Sequence, residues 1–202
     1  MKKYLISTVL ISSITLTGCI TTLSLPADQR PNHWGQVIST SNNFYQISPT
    51  VFRSEQPDHS LLPALKQHKI SRVINLRQRN PDQKVFENQP FNLTHIPIQT
   101  WAIDRNDLLQ VMQAIQLAEQ KQENVLIHCY HGSDRTGVSV AMYRVLFQNW
   151  SREDALNEMK HGGYGFHPIW TNIEKLMSAE NIQWTRAQLN HSKVITTNTL
   201  AH

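Results

Sequence analysis

Cys129 and Arg135 are the two residues of this 202-residue chain whose types and spacing could do chemistry together. A thiolate is a strong nucleophile, and a guanidinium presents parallel N–H donors that match two oxygens of a phosphate group. Arg135 lies six residues after Cys129, near enough to curl back towards it across a turn. The pair predicts attack of the Cys129 sulfur on a phosphomonoester, followed by hydrolysis of a phosphocysteine intermediate.

The elements around this pair must bring both side chains to one place. The short apolar run at 125–127 predicts a buried strand, and residues 138–147, apolar on nearly every side, predict a buried helix. Residues 128–137 then form a strand-to-helix turn, where backbone N–H groups and the positive end of the helix suit an anion. The residues expected to cradle phosphate are Tyr130, His131, Gly132, Ser133, Asp134 and Arg135.

Three residues of the turn are expected to support this cradle. Gly132 allows backbone torsions and a close approach that a side chain would obstruct. Thr136 is expected to donate a hydrogen bond to the sulfur of Cys129 and to ease its departure as a leaving group. Alternation along the strand places His128 on the face opposite Cys129, where it supports the turn from behind.

Two other interpretations of the same residues compete with this one. Cys129 could be an inert buried thiol, with Arg135 only a charge at the start of a helix. Alternatively, His128, Cys129 and His131 could bind a metal ion. The metal site is disfavoured because His128 and Cys129 point to opposite faces and no other cysteine is nearby, so no metal is predicted.

The string His-Cys-Tyr-His-Gly-Ser-Asp-Arg-Thr-Gly at 128–137 resembles the signature loop of the cysteine-based protein tyrosine and dual-specificity phosphatase superfamily. The order of further motifs is similar to that of the bacterial members. Those motifs lie at 51–57, 74–77, 143–144, 150–155 and 162–167. The resemblance implies that Cys129 is the nucleophile, that Arg135 clamps the phosphate and that the loop backbone cradles it. It also implies that neither a metal nor an organic cofactor is needed.

The same resemblance implies a three-layer α/β fold, in which a small mixed sheet is flanked by helices. The site would lie at the carboxyl end of the strand that leads into Cys129.

The general acid stays open between two aspartates. Many relatives carry a mobile Asp on a loop after a strand, and Asp104 is the first candidate, although the Trp-Pro-Asp sequence of tyrosine-specific enzymes is missing. Asn106 or Asp107 is expected to cap the helix that follows. Asp134 resembles the Asp of the Asp-Arg-Thr loop in myotubularin-like and some bacterial members, and it either supplies the proton or orients Arg135 through an ion pair.

The glycine-rich segment 162–167 carries a second open question. His167, at its end, could position the water that hydrolyses the intermediate. The alternative is that the segment only packs the last helix, predicted over 169–177, onto the domain.

Three functions follow from these residues. The first is a phosphomonoester hydrolase of the tyrosine or dual-specificity protein phosphatase type, acting on a phosphoprotein. The second is a phosphoinositide or inositol-phosphate phosphatase, which the Asp-Arg-Thr loop keeps open. The third is a lipoprotein that binds phosphorylated ligands through an inactive loop.

The N-terminus is typical of a secretory signal peptide over residues 1–18: two lysines precede a short apolar and hydroxyl-rich run. The run ends at Leu16-Thr17-Gly18-Cys19, which resembles a bacterial lipobox and predicts acylation of Cys19. Ile20 follows the cysteine, where an Asp tends to retain lipoproteins at the inner membrane. We therefore expect a lipid anchor in the outer membrane, with the protein facing the periplasm.

The rest of the chain is expected to divide into a lipid-anchored tether over 19–43, a catalytic domain over 44–180 and a loose tail over 181–202. Within the domain, the sequence predicts a hairpin at 44–47 and 51–54, and strands at 72–77 and 93–98. The net charge of +4 falls to +2 when Lys2 and Lys3 leave with the signal peptide. Because no basic run remains, nucleic acid is not an expected partner.

Overall fold

The computed structural model describes residues 20–199, with side chains up to His191. The predicted signal peptide and Cys19 lie outside the described residues. The strands are β1 (Gln36–Ser39), β2 (Phe44–Gln46), β3 (Val51–Ser54), β4 (Ile70–Asn75), β5 (Asn92–His95) and β6 (Asn124–His128). The helices are α1 (Leu62–Gln67), α2 (Asp82–Val85), α3 (Arg105–Gln120), α4 (Asp134–Phe147), α5 (Arg152–His161), α6 (Thr171–Leu176) and α7 (Ala179–Thr199), with a short 3-10 helix at Ala27–Gln29.

The strands form one mixed sheet in the order β1-β2-β3-β6-β4-β5. β1 pairs with β2 and β2 with β3 in the antiparallel sense, whereas β3, β6, β4 and β5 run parallel to one another. In this register His128 lies between Ser54 of β3 and Asn75 of β4. Three parallel strands therefore end together, and the chain leaves β6 for the predicted site at that edge.

Both faces of the sheet are covered, which explains the apolar run in β6. Val125 and Ile127 point into the larger core, which contains side chains of α3, α4, α5, α6 and α7. Leu126 points the other way, into a smaller core with Phe52 and with Leu65 of α1. Successive residues of a strand face opposite sides, so a strand covered on both sides has no polar face. These layers confirm the expected three-layer α/β fold.

Helix α4 lies inside the larger core. Eleven of its residues are buried, among them the Val138–Val145 stretch without interruption. A helix that is apolar on nearly every side has to be surrounded by other elements. Contacts with α3, α5, α6 and α7 surround it, and this confirms the predicted buried helix.

The structure corrects the predicted tether over 19–43. Residues 36–39 form the edge strand β1, and Trp34 is buried, with 6% of its surface exposed. The backbone N–H of Gly35 donates to Glu158 Oε1 at 2.7 Å. A four-residue edge strand has too little periodicity to be recognised in the sequence, because it alternates only twice.

The segment before β1 also pairs with the body of the protein. The N–H of Thr22 donates to the carbonyl of Phe166 at 2.7 Å, and that of Leu25 donates to the carbonyl of His161 at 3.0 Å. His161 Nδ1 lies 2.9 Å from the carbonyl oxygen of Leu23. From Thr22 onwards, the chain is therefore bound along the loop that follows α5.

The structure also corrects the loose tail predicted over 181–202, since α7 continues to Thr199. Ile182, Thr185 and Leu189, three or four residues apart, are buried, and the helix packs on α3 and α4. Such a narrow apolar stripe is hard to distinguish from chance in a polar sequence. Within residues 20–199, none of the helices has the length and apolar character needed to span a bilayer.

Candidate active site

The loop between β6 and α4 is rich in unused hydrogen-bond donors. Among the described residues, none accepts a hydrogen bond from the backbone N–H groups of residues 130–135. Such groups at the start of a helix lack intrahelical acceptors, and together with the helix dipole they favour an anion. The loop therefore has the form of an anion-binding nest.

Gly132 has a conformation that a side chain would prevent. Its φ angle is +71°, and a Cβ atom there would lie 2.5 Å from the carbonyl oxygen of Ser54. The loop thus passes directly against the end of β3, and glycine is the residue that permits both the torsion and the contact.

Cys129 follows the last residue of β6 and is buried, with 2% of its surface exposed. It belongs to the larger core, on the same face of the sheet as Ile127. It carries the one free thiol in the part of the chain that the structure describes. A nucleophile in this position would lie at the floor of the loop rather than at its rim.

Arg135 is half-buried on the first turn of α4, and its guanidinium is anchored by backbone carbonyls. Nη1 donates to the carbonyl oxygen of Ile98 at 2.9 Å and to that of Leu76 at 3.2 Å. These carbonyls lie just after β4 and β5. The backbone that follows these strands therefore holds one edge of the guanidinium, and the role of Arg135 as a phosphate clamp stays a prediction.

Behind the loop, His128 belongs to a buried polar network. His128 Nε2 lies 2.8 Å from Asp82 Oδ2, and Gln56 Nε2 donates to Asp82 Oδ1 at 2.9 Å. Arg77 Nη1 in turn donates to Gln56 Oε1 at 2.9 Å. Burial acts to raise the pKa of Asp82, but the hydrogen bonds from His128 and Gln56 outweigh it, so the pKa is lowered. Asp82 was not foreseen, because its link to His128 joins positions 46 residues apart.

The structure does not place Thr136 as predicted. Its hydroxyl oxygen is buried and has no hydrogen-bond partner among the described residues, including the sulfur of Cys129. Residue 136 is already the third residue of α4, so the helix rather than the loop sets the direction of its side chain. The predicted bond to the thiol is therefore wrong for this conformation.

Asp134 pairs with His167 and not with Arg135. Asp134 Oδ1 accepts the backbone N–H of His167 at 2.9 Å, and His167 Nδ1 lies 2.9 Å from Oδ2. No ion pair joins Asp134 to Arg135 in residues 20–199, so the predicted orienting pair is wrong. The glycine-rich segment 162–167 thus reaches the loop, because His167 contacts the carboxylate of Asp134.

Asp104 caps helix α3, a role that the sequence analysis gave to Asn106 or Asp107. Asp104 Oδ1 accepts the backbone N–H groups of Asn106 and Asp107 at 2.8 and 3.0 Å. The Asp107 carboxylate returns the bond by accepting the N–H of Asp104 at 3.0 Å. Slight burial would raise the pKa of Asp104, but these hydrogen bonds lower it overall. The predicted cap is wrong because both aspartates share one capping box.

A groove of about 270 Å³ lies beside Arg135. Its lining residues are Arg77, Gln78, Arg79, Ile98, Gln99, Thr100, Trp101, Tyr130 and Arg135. Trp101 and Tyr130 are exposed aromatic side chains, and the Arg77 guanidinium lies 4.8 Å from the centre of the Tyr130 ring. The groove thus combines positive charge with aromatic surface, and its lining includes no carboxylate.

Arg53 of β3 was missed by the sequence analysis, although it is fully buried. Its Nη2 donates to the carbonyl oxygen of Gly132, and its guanidinium carbon lies 3.7 Å from the centre of the Tyr164 ring. The available signal was an arginine within the apolar strand Val-Phe-Arg-Ser, a position that normally excludes a charge.

Residues 51–182, which contain the loop and most of the sheet, match the family model described as "Dual specificity phosphatase, catalytic domain". The chain belongs to the dual specificity phosphatase family. The resemblance noted in the loop sequence is thereby confirmed. In residues 20–199 no group of three or more His, Cys, Asp or Glu side chains is placed to hold a metal ion.

A curated relative of this chain is the dual specificity protein phosphatase TpbA of Pseudomonas aeruginosa. The two are 34% identical over 139 residues, which are 69% of this chain and 63% of the relative. The match thus spans less than two thirds of that protein.

Solved structures of the same relative agree with this assignment. The crystal structure of Pseudomonas aeruginosa TpbA in complex with pTyr is 28% identical, with a TM-score of 0.74, and the match covers 80% of this chain and 99% of that one.

A second solved structure is similar in fold. The core catalytic domain of the PP-IP phosphatase SIW14 from S. cerevisiae is 19% identical, with a TM-score of 0.59, and the match covers 73% of this chain and 93% of that one. At this identity the similarity bears on the fold alone.

Proposed function

We propose that this protein is a cysteine-dependent phosphatase that hydrolyses phosphomonoesters of the phosphotyrosine type. The observation that carries the proposal is the row of backbone N–H groups at 130–135, which have no acceptor within residues 20–199 and follow the buried Cys129 along the chain. Such a row binds the three outer oxygens of a phosphoryl group and favours a thiolate in the same place. A relative in the same family carries the name dual specificity protein phosphatase.

The reaction proceeds in two displacements. The Cys129 thiolate attacks phosphorus, the bond from phosphorus to the ester oxygen breaks, and a general acid gives that oxygen its proton. Water then attacks the phosphocysteine, the phosphorus–sulfur bond breaks, and the same carboxylate takes up a proton from the water. Arg135 and the loop N–H groups neutralise the charge on the equatorial oxygens in both steps.

For the general acid we propose Asp104. Both carboxylates accept hydrogen bonds at both oxygens, but Asp134 is buried against His167, whereas Asp104 is exposed and three residues from the groove residue Trp101. Its capping bonds hold Asp104 in the ionised form, so protonation has to follow release from the cap when substrate enters the groove.

Phosphotyrosine is the substrate type that fits the groove. The walls contributed by Trp101 and Tyr130 offer surface against which an aromatic ring can stack, and Arg77 and Arg79 add positive charge beside Arg135. A crystal structure of the relative TpbA contains pTyr.

The proposal is tested by measuring phosphate release from p-nitrophenyl phosphate, phosphotyrosine peptides and phosphoinositides. We expect hydrolysis of the two phenolic esters, and loss of at least about 1,000-fold in kcat in Cys129→Ser, because the serine hydroxyl is not ionised at neutral pH. Activity that survives this substitution would remove Cys129 from the mechanism. A preference for phosphoinositides would overturn the phosphotyrosine assignment.

The acid is tested by comparing Asp104→Asn with Asp134→Asn on a phenyl ester and on p-nitrophenyl phosphate. Asn caps a helix about as well as Asp, so Asp104→Asn leaves α3 intact. We expect kcat for phenyl phosphate to fall about 100-fold in Asp104→Asn. The fall for p-nitrophenyl phosphate should be much smaller, because its nitrophenolate leaving group needs no proton. The opposite ranking of the two variants would transfer the role to Asp134.

We further propose that Cys19 carries a lipid anchor that holds the protein at the outer membrane, facing the periplasm. The support is the sequence Leu16-Thr17-Gly18-Cys19 followed by Ile20. Labelled palmitate should be incorporated into the wild-type protein and not into Cys19→Ala, and outer-membrane fractions should contain the labelled protein. Label that persists in Cys19→Ala would rule out this position.

A further inference from the structure

Arg53 is a buried cation for which the described part of the protein supplies no carboxylate partner. None of its surface is exposed. Of its three guanidinium nitrogens, only Nη2 has an acceptor, the carbonyl oxygen of Gly132, whereas Nε and Nη1 are buried without any partner among residues 20–199. A buried charge without a partner is strongly unfavourable. Because no side-chain carboxylate of the described residues pairs with Arg53, we expect its counter-anion to be another group.

Glu158, whose charge acts on Arg53, is already engaged by other groups. Arg144 donates to both of its oxygens, at 2.7 and 2.6 Å, and Oε1 also accepts the N–H of Gly35 and the hydroxyl of Tyr164. Glu158 therefore influences Arg53 through the field across Tyr164 and not through a hydrogen bond.

The other neighbour of Arg53 is the loop itself. Arg53 pairs in register with Ile127 of β6, and Cys129 lies two residues beyond Ile127, on the same face of the sheet. Burial lowers the pKa of Arg53, and the charges of Tyr164, Glu158 and Cys129 act to raise it. An arginine keeps its proton even so. Its positive charge therefore lies on the side of the loop where the Cys129 thiolate and the phosphoryl group of the substrate would carry negative charge.

We propose that Arg53 is a positioning residue of the phosphatase reaction, which fixes the loop at Gly132 and stabilises the anionic form of Cys129 from beneath. This inference rests on the proposed function. The oxygen of Gly132 is held inward by Nη2, so the loop N–H groups on either side turn towards the bound phosphate. The cation adds a field that favours the thiolate over the thiol.

The charged and titratable groups packed around Arg53 and Cys129 come from five places. They are Tyr45 of β2, Arg135 and Arg144 of α4, Glu158 of α5, Tyr164 of the following loop and His128 of β6. Arg144 and Glu158 form one neutral pair. Removal of Arg53 therefore leaves Arg135 beside the loop, with Arg77 and Arg79 along the groove, as cations without an ion-pair partner in the described residues.

The test measures the pH dependence of Cys129 alkylation by iodoacetamide in the full-length protein, with peptide mapping to separate Cys129 from Cys19. This readout needs no phosphatase activity, so it can fail independently of the proposed function. In Arg53→Gln we expect the midpoint of the alkylation curve to move upward by about one pH unit and kcat/KM to fall about 100-fold. Arg53→Lys should keep the midpoint of the wild type while losing kcat, because an ammonium retains the charge but not the planar donor geometry.

The matched control is Arg186→Gln, on the exposed side of α7, where the arginine donates to the carbonyl oxygen of Val145 at 3.3 Å. It should leave both the alkylation midpoint and kcat unchanged. If Arg53→Gln does not fold, Arg53→Lys decides the question: a midpoint shifted by a full unit in that variant would overturn the electrostatic role, and unchanged kcat would overturn the positioning role. Wild-type values in both variants would overturn the proposal as a whole.

Discussion

Two arginines, Arg53 and Arg144, lie in the same core with 2% or less of their surface exposed, and they have opposite surroundings. Arg144 donates to both oxygens of Glu158, to the carbonyl of Ile47 and to Gln148. Arg53 has a single acceptor, a loop carbonyl, and two nitrogens with none in the described residues. One arginine is paired with a carboxylate, and the other has no counter-anion within residues 20–199.

The difference separates two uses of buried charge. A bidentate pair such as Arg144–Glu158 fixes α4 against α5, and its removal should be felt in folding. Removal of an incompletely paired cation beside the proposed nucleophile should instead lower the rate of the reaction. Tyr164 connects the two: its ring lies under Arg53 and its hydroxyl donates to Glu158 at 3.1 Å. Burial, with the nearby Glu158 charge, raises the pKa of Tyr164 well above its usual range, so this hydroxyl remains a donor.

The largest expected effect is on folding, in Arg144→Met. The variant leaves the Glu158 carboxylate buried without its partner, which typically costs about 3–5 kcal/mol in the free energy of unfolding. Urea denaturation followed by circular dichroism measures it. The double variant Arg144→Met/Glu158→Leu should recover most of the loss, because it removes both charges. An equal or larger loss in Arg53→Gln would break the distinction between the two arginines.

Gly132→Ala tests the loop from the other side. The added Cβ would meet the Ser54 carbonyl at 2.5 Å, in a region of φ that alanine disfavours, so the Gly132 oxygen has to leave Arg53. We expect kcat/KM for p-nitrophenyl phosphate to fall about 100-fold with thermal unfolding changed by only a few degrees. Gly137→Ala is the control, since its Cβ would meet a flexible Met159 side chain at 3.1 Å. Equal losses in the two variants would contradict this reading of the loop.

Asp82→Asn probes the network behind the loop, where a carboxylate is paired with a histidine. We expect a loss of about 1–3 kcal/mol in the free energy of unfolding at pH 7, because His128 loses its charged acceptor. Since folding lowers the pKa of Asp82, its contribution to stability is present above the unfolded value of about 3.9 and is lost as the pH falls through the lower folded value. The wild type should therefore lose stability below about pH 4 more steeply than Asp82→Asn. Parallel pH curves would refute the pairing.

The smallest effect is expected at an exposed ion pair. Lys160 Nζ lies 3.0 Å from Glu174 Oε2, with 29% and 35% of the two side chains exposed. Lys160→Met should change the free energy of unfolding by less than about 1 kcal/mol, and the difference should shrink further in 0.5 M salt. A loss as large as that of Arg144→Met would mean that burial is not what separates strong pairs from weak ones in this protein.

The parts of the molecule that the sequence predicted are those encoded by contiguous residues. The loop 128–137 has its cysteine, its glycine and its arginine within ten positions, flanked by clear apolar runs. Val125 to Ile127 and α4 were recognisable because elements buried on every side contain almost no polar residues.

The parts that were missed depend on contacts between distant segments. Arg53 meets Gly132 across 79 positions, and Glu158 meets Gly35 across 123, so neither partner is visible from local spacing. The capping role of Asp104 was missed for a different reason: two aspartates three residues apart both satisfy the cap rule, and only the backbone geometry separates them.

The hydrogen bond from Thr22 to Phe166 limits how far the folded domain can lie from the proposed lipid anchor. Thr22 is the third residue after Cys19, so an acyl group at Cys19, as proposed, is joined to the folded body by a stretch no longer than about 10 Å. Phe166 precedes His167, which contacts the loop carboxylate of Asp134. The opening of the catalytic cleft would then be confined to a thin layer of periplasm next to the bilayer, and phosphorylated groups presented at that surface would be hydrolysed in preference to those diffusing farther away.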